Sequence, residues 1–225
     1  MGHHLLIDGD DTLWENNIYF EEAISAFVTF LAHSTLSTEE IRQVLDEAER
    51  QAGYGSANFA RSLEYTYRHL VEREVTSEDV ARVHQFATEI RQHPMEIMPG
   101  VLETLTYLAP RHDLVLVTKG DFDEQRLKIE ASGLEPHFQQ TIVVAEKDPD
   151  TYREVLDDLS FEPSQTWMVG NSPRSDINPA LEVGMNAVLV PHPHTWRLEH
   201  QEVQLPDRGQ TFITIPTFAD LRLHF

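Results

Sequence analysis

The sequence predicts an α/β fold: a parallel sheet with helices on both faces, into which a small helical bundle is inserted after the first strand. Three observations predict it. Short apolar runs alternate with amphipathic stretches from about residue 100 to residue 190. The opening run Leu5-Leu6-Ile7 reads as one more buried strand of the same kind. Between the two, four successive stretches carry helical spacing and nothing reads as a strand. A length of 225 residues leaves room for one sizeable core and a satellite, not for two average domains.

The first strand runs directly into Asp8-Gly9-Asp10-Asp11-Thr12-Leu13-Trp14. On an extended backbone Asp8 and Asp10 project to the same side. Two charges about 4 Å apart repel by roughly 4 kcal/mol at an effective dielectric near 20, so the cluster requires a cation, a shared proton or a basic partner. Capping of a following helix accounts for Asp11 but not for Asp8 and Asp10.

Four helices follow from about Ile18 to about Arg91. Ile24, Phe27, Val28 and Leu31 form the first stripe, and Ile41, Val44, Leu45 and Ala48 the second, entered through a capping box of Ser37 and Glu40. Gly53-Tyr54-Gly55-Ser56 breaks the chain before a third helix with Phe59, Leu63, Tyr67 and Leu70. The fourth carries Val80, Val83, Ala87 and Ile90 and opens at Thr76 with Asp79 three positions on. Domain limits of 1–15 with 96–225 for the core, and 16–95 for the insertion, follow.

After Pro94 to Gly100 the pattern becomes helix (101–108), strand (114–118), helix (124–132), strand (141–144), helix (151–159), strand (166–169), helix (174–183) and strand (187–190). Buried strands joined by crossover helices form a Rossmann-like parallel sheet, whose strand C-terminal ends meet at one crevice. Phe212 to Ile215 is expected as an edge strand and Thr217 to Leu223 as a closing helix.

Composition excludes several partners. Seventeen basic against thirty-eight acidic side chains give a net charge of −21, so nucleic acid and anionic membranes are poor partners. No cysteine is present to form a disulfide or thiolate site, and no apolar run reaches the length of a membrane span. A cytoplasmic protein, monomeric or homodimeric, is the expectation.

The strand ends collect Asp8 and Asp10, then Thr118-Lys119-Gly120, then Lys147, then Gly170-Asn171-Ser172-Pro173-Arg174-Ser175-Asp176. In that order they resemble the four motifs of the haloacid dehalogenase (HAD) superfamily, and the helical insertion resembles its C1-type cap. The resemblance implies Asp8 as nucleophile, Asp10 as general acid and base, Thr118 as phosphoryl hydrogen-bond donor and Lys147 as charge partner. It also implies Mg²⁺ held by the Asp8 carboxylate, the Asp10 carbonyl and the Asp176 carboxylate, with Asn171 where the family usually has an acid. The substrate class implied is a small phosphorylated metabolite.

A carboxylate attacks phosphorus when the phosphoryl charge is neutralised and the attack is in line, giving an aspartyl phosphate that water cleaves. As general acid, Asp10 is expected to need a raised pKa before transfer, with closure of the lid over the site as its cause. Lys119 is expected to face solvent, or else to join Gly120 at the phosphate; Tyr54, Asn58 and Arg61 of the insertion are candidate substrate contacts. A dehalogenase needs no acid at position 10, so Asp10 with Asp176 favours phosphate chemistry. A phosphoglucomutase-like enzyme and a non-catalytic binding module are the other readings. His192, His194 and His200 form a possible transition-metal set, against which stands a proline-stiffened loop leaving the last core strand.

Overall fold

The computed structural model describes residues 2–205 and 209–225. Its contacts divide the chain into two compact units, Met1–Glu15 with Met95–Phe225, and Asn16–Pro94.

The first unit is built on a six-stranded sheet: β1 (His4–Ile7), β2 (Asp113–Lys119), β3 (Gln140–Val144), β4 (Thr166–Gly170), β5 (Asn186–Leu189) and β6 (Phe212–Thr214). The order is β3-β2-β1-β4-β5-β6 and every pairing is parallel. β1 therefore lies at the centre, its Leu6 registered with Val115 on one side and Met168 on the other. It begins one residue earlier than its apolar run, because His4 pairs with Asp113, by backbone register and by an imidazole–carboxylate contact of 2.8 Å.

Alternation along the strands builds a core on each face. Leu5, Ile7, Leu114 and Leu116 point to the face covered by the helix Val101–Leu108 and by Ile129, Phe218 and Leu221. Leu6, Val115 and Val117 point to the other, against Tyr152, Val155, Leu156 and Ala180. All of these residues are buried.

Two expected elements take different forms. The helix expected over 174–183 starts as a π-helical turn, Pro173–Ile177, and becomes α-helical only over Asn178–Glu182. The turn is wound tightly on Ser172: its hydroxyl accepts from the Ser175 N–H at 2.9 Å, and its carbonyl accepts from Asp176 and Ile177. The closing segment Phe218–Leu223 is a 3₁₀ helix, held by a capping box of Thr217 and Asp220.

The second unit holds α1 (Asn17–Leu31), α2 (Thr38–Ala52), α3 (Ser56–Leu70) and α4 (Ser77–Ile90) around its own core of Ile24, Phe27, Leu45, Phe59, Leu63, Tyr67, Val83 and Phe86. Both capping boxes are formed, Ser37 with Glu40 and Thr76 with Asp79. Among the described residues no helix is long and apolar enough to cross a membrane.

Candidate active site

The sheet carries its polar residues to the C-terminal ends of β1, β2 and β4, on either side of the point where the strand order reverses. Asp8 follows β1 with its N–H still donating to the Val169 carbonyl at 2.9 Å. The chain then turns sharply: the N–H groups of Thr12 and Leu13 both donate to the Gly9 carbonyl, and Asp11 adopts φ 58°. Gly9 is required here, because a Cβ would stand 2.6 Å from the buried Trp14 ring.

Lys147 lies between β3 and the helix Pro149–Leu159 and is buried. Its Nζ donates to Asp8 Oδ1 at 2.5 Å and to Asp176 Oδ1 at 2.7 Å. Asp176 sits on the π-helical turn, and its second oxygen accepts the Ser172 N–H at 2.9 Å. Its carboxylate lies so close to the end of β4 that a Cβ on Gly170 would come within 2.2 Å of it. Only glycine fits there.

Burial pushes the Asp8 carboxyl up to about 7, against the pull of Lys147 and with Asp176 and Asp10 adding to the rise. Burial also acts against the charge of Lys147, yet Asp176 and Asp8 hold its ammonium above the usual lysine range. Two buried carboxylates thus share one ammonium. The second negative charge calls for a proton or a cation among these hard oxygen donors, a set that fits Mg²⁺. Asn171 belongs to the same neighbourhood: its Oδ1 and Asp8 Oδ2 both lie within reach of the Thr12 hydroxyl, at 3.3 and 3.2 Å, and its Nδ2 donates to Thr195 at 3.0 Å. The side chain is thereby oriented with its oxygen toward the Thr12 hydroxyl, which also reaches Asp8.

Asp10 differs from expectation. Its carboxylate accepts from Trp14 Nε1 at 2.6 Å, from Gln125 Nε2 at 2.9 Å and from Lys128 Nζ at 2.8 and 2.9 Å. Burial raises its pKa, but Lys128 and the three sets of hydrogen bonds outweigh burial and hold it below the usual carboxylate range. The rise expected on lid closure is not produced by these neighbours.

Lys119 does not face solvent either. Its Nζ donates to Ser175 Oγ at 2.6 Å, Glu199 Oε1 at 2.7 Å and Glu146 Oε1 at 3.1 Å. Glu199 in turn accepts from the hydroxyls of Ser172 and Ser175. The pair braces the loop that presents Asp176. Thr118 is buried with its hydroxyl 3.2 Å from Gln125 Oε1, and the Gly120 N–H continues the sheet by donating to the Val144 carbonyl.

Tyr54, Asn58 and Arg61 lie in the second unit, where they hold one another: Asn58 Nδ2 donates to the Tyr54 carbonyl at 2.7 Å, and Arg61 to Asn58 Oδ1 at 2.8 Å. The three histidines do not converge as a set. His200 Nε2 contacts the Thr195 carbonyl, whereas His192 faces Asp11 and Glu15.

Gln125, Lys128, Glu199 and Thr12 had no predicted role. A signal for Lys128 did exist. The chain has only three lysines, 119, 128 and 147, and all three meet the strand-end residues.

Residues 3–184 match the family described as haloacid dehalogenase-like hydrolase. N-acylneuraminate-9-phosphatase of Rattus norvegicus is 32% identical over 103 residues, which are 44% of this chain and 41% of that protein. The match therefore spans about two-fifths of that relative. A crystal structure of a haloacid dehalogenase-like family hydrolase from Xanthomonas campestris is 30% identical, covers 99% of this chain and 94% of its own, and superimposes with a TM-score of 0.84. The L-2-haloacid dehalogenase of Xanthobacter autotrophicus shares the fold at 19% identity, with a TM-score of 0.65, covering 100% of this chain and 98% of its own.

Proposed function

Because the chain belongs to the haloacid dehalogenase-like hydrolase family, we propose that it is a Mg²⁺-dependent phosphohydrolase that cleaves a small phosphomonoester through an aspartyl phosphate on Asp8. The observation that carries this reading is the buried triad of Asp8, Lys147 and Asp176, with the Asp10 carboxylate, bound by Lys128, two residues from the nucleophile. A dehalogenase attacking carbon has no use for that second acid. The phosphatase relative supports the same choice.

Mg²⁺ would be held by the carboxylates of Asp8 and Asp176, the Asp10 carbonyl and the Asn171 amide oxygen, and when bound it withdraws charge from the phosphoryl oxygens. An Asp8 oxygen attacks phosphorus as the bond to the leaving oxygen breaks. Lys147 balances the charge carried by the phosphoryl group, and Thr118 donates to it. Asp10 takes up a proton before transfer, gives it to the leaving oxygen and, again a carboxylate, takes one from the water that splits the aspartyl phosphate, restoring Asp8, while Lys128 positions it. In its ionised form Asp10 is ready for the second of these steps.

We assign Lys119 to support of the Asp176 loop. The helical unit is assigned the role of the family's cap, with Tyr54, Asn58 and Arg61 as the candidate substrate residues it would contribute, and Gly120 as a candidate phosphate contact. The test is phosphate release from p-nitrophenyl phosphate and from a panel of phosphorylated metabolites, with Mg²⁺ or EDTA, on the wild type and Asp8→Asn. Release that requires both Mg²⁺ and Asp8 is expected. Metal-independent release, or an Asp8→Asn variant as active as the wild type, contradicts the reading.

A further inference from the structure

The loop after β5 meets the turn after β1 through residues that the Asp8–Lys147–Asp176 triad does not use. His192 lies between two carboxylates there, with Nε2 3.2 Å from Glu15 Oε2 and Nδ1 3.7 Å from Asp11 Oδ1. One ligand atom from each of Asp11, Glu15 and His192 falls within 4.8 Å of the others. The side chains of His192 and Asp11 are only 9% and 6% exposed. Glu15 Oε2 is shielded from solvent and has the His192 imidazole as its neighbour, and the other ring nitrogen accepts the His194 N–H at 3.3 Å. Burial, with His194 adding, keeps the His192 pKa below its ordinary value, against the pull of Glu15. The neutral ring is the form that ligates metal.

We propose that Asp11, Glu15 and His192 form a second divalent-cation site, selective for a transition ion that accepts imidazole, with Zn²⁺ as the model ion. Ligand atoms of a tetrahedral zinc site stand roughly 3.4 Å apart for bonds near 2.1 Å, so a set already within 4.8 Å closes by small side-chain rotations. Three protein ligands leave the fourth position to water. The chemistry differs from that of the strand-end site, which offers oxygens only and suits Mg²⁺. The site joins two stretches distant in sequence: Glu15, whose N–H donates to the Glu96 carbonyl, and the loop leaving the last core strand but one. It shares no residue with the proposed Mg²⁺ ligands, and it does not rest on the phosphatase reading.

The test is equilibrium dialysis of the full chain against Zn²⁺ in excess Mg²⁺, with bound zinc measured by elemental analysis and folding checked by circular dichroism. An Asp8→Asn, Asp176→Asn background removes the strand-end carboxylates. One zinc per chain with micromolar affinity is expected in that background and in His194→Ala. Binding at least tenfold weaker is expected in His192→Ala and in Glu15→Gln; if His192→Ala does not fold, the partly exposed Glu15→Gln decides. Absence of stoichiometric zinc, undiminished binding in either folded ligand variant, or an equal loss in His194→Ala overturns the proposal.

Discussion

Lys128 shows how one side chain changes the chemistry assigned to another. Its ammonium supplies two of the contacts that keep Asp10 ionised. A hydrogen bond to a charged group contributes about 1.5–3 kcal/mol, and each ~1.4 kcal/mol is a factor of ten in rate. Lys128→Met is therefore expected to lower kcat ten- to a hundredfold while KM changes little, because Lys128 acts through Asp10. Steady-state kinetics on one activated phosphomonoester check this, and an unchanged kcat removes Lys128 from the mechanism. Asp8, Lys147 and Asp176 could be read from sequence because strand-end position alone fixes where they meet. Gln125 and Lys128 could not. They reach Asp10 from a helix flank, and the pitch and docking of the helix Phe122–Ser132 decide which of its side chains arrive. Glu199 was harder still, since it comes from a short turn in the irregular tail.

At the level of elements, local chemistry was legible wherever the chain supplies its own partner. The capping boxes at Ser37–Glu40 and Thr76–Asp79 involve residues three apart and form as read. The π-helical turn at Pro173–Ile177 was not legible, because it depends on Ser172 bonds within a loop that Glu199 braces from elsewhere. Asp79 yields a prediction with a definite sign. Its carboxylate accepts from Arg73, at 2.6 and 2.7 Å, and from Thr76, and Arg73 first among these holds its pKa far below the usual carboxylate range. A lowered folded-state pKa adds stability above the unfolded value near pH 4 and loses it as pH falls further. Asp79→Asn should thus melt below the wild type at pH 7, with the gap closing below about pH 4. Thermal melts across pH check this, and a gap independent of pH contradicts it.

For the whole molecule, the charge balance dominates. Seventeen basic side chains against thirty-eight acidic ones leave a net −21 that repels itself in the folded state. Raising salt from about 0.01 to 0.15 M shortens the screening length from roughly 30 to 8 Å. The melting temperature is expected to rise over that range, and a fall would mean that the surface ion pairs outweigh the repulsion. The parallel sheet was readable because each strand is short, apolar and separated from the next by an amphipathic helix. Its order, with β1 at the centre, is what gathers Asp8, Lys147 and Asp176 at one crevice. The most direct test of the function proposed for that crevice is to quench turnover in acid and map the phosphoryl group by peptide mass spectrometry. A phosphoryl adduct on the peptide containing Asp8, absent from Asp8→Asn, is the predicted result. Steady phosphate release with no adduct at Asp8, or undiminished release by Asp8→Asn, would contradict it.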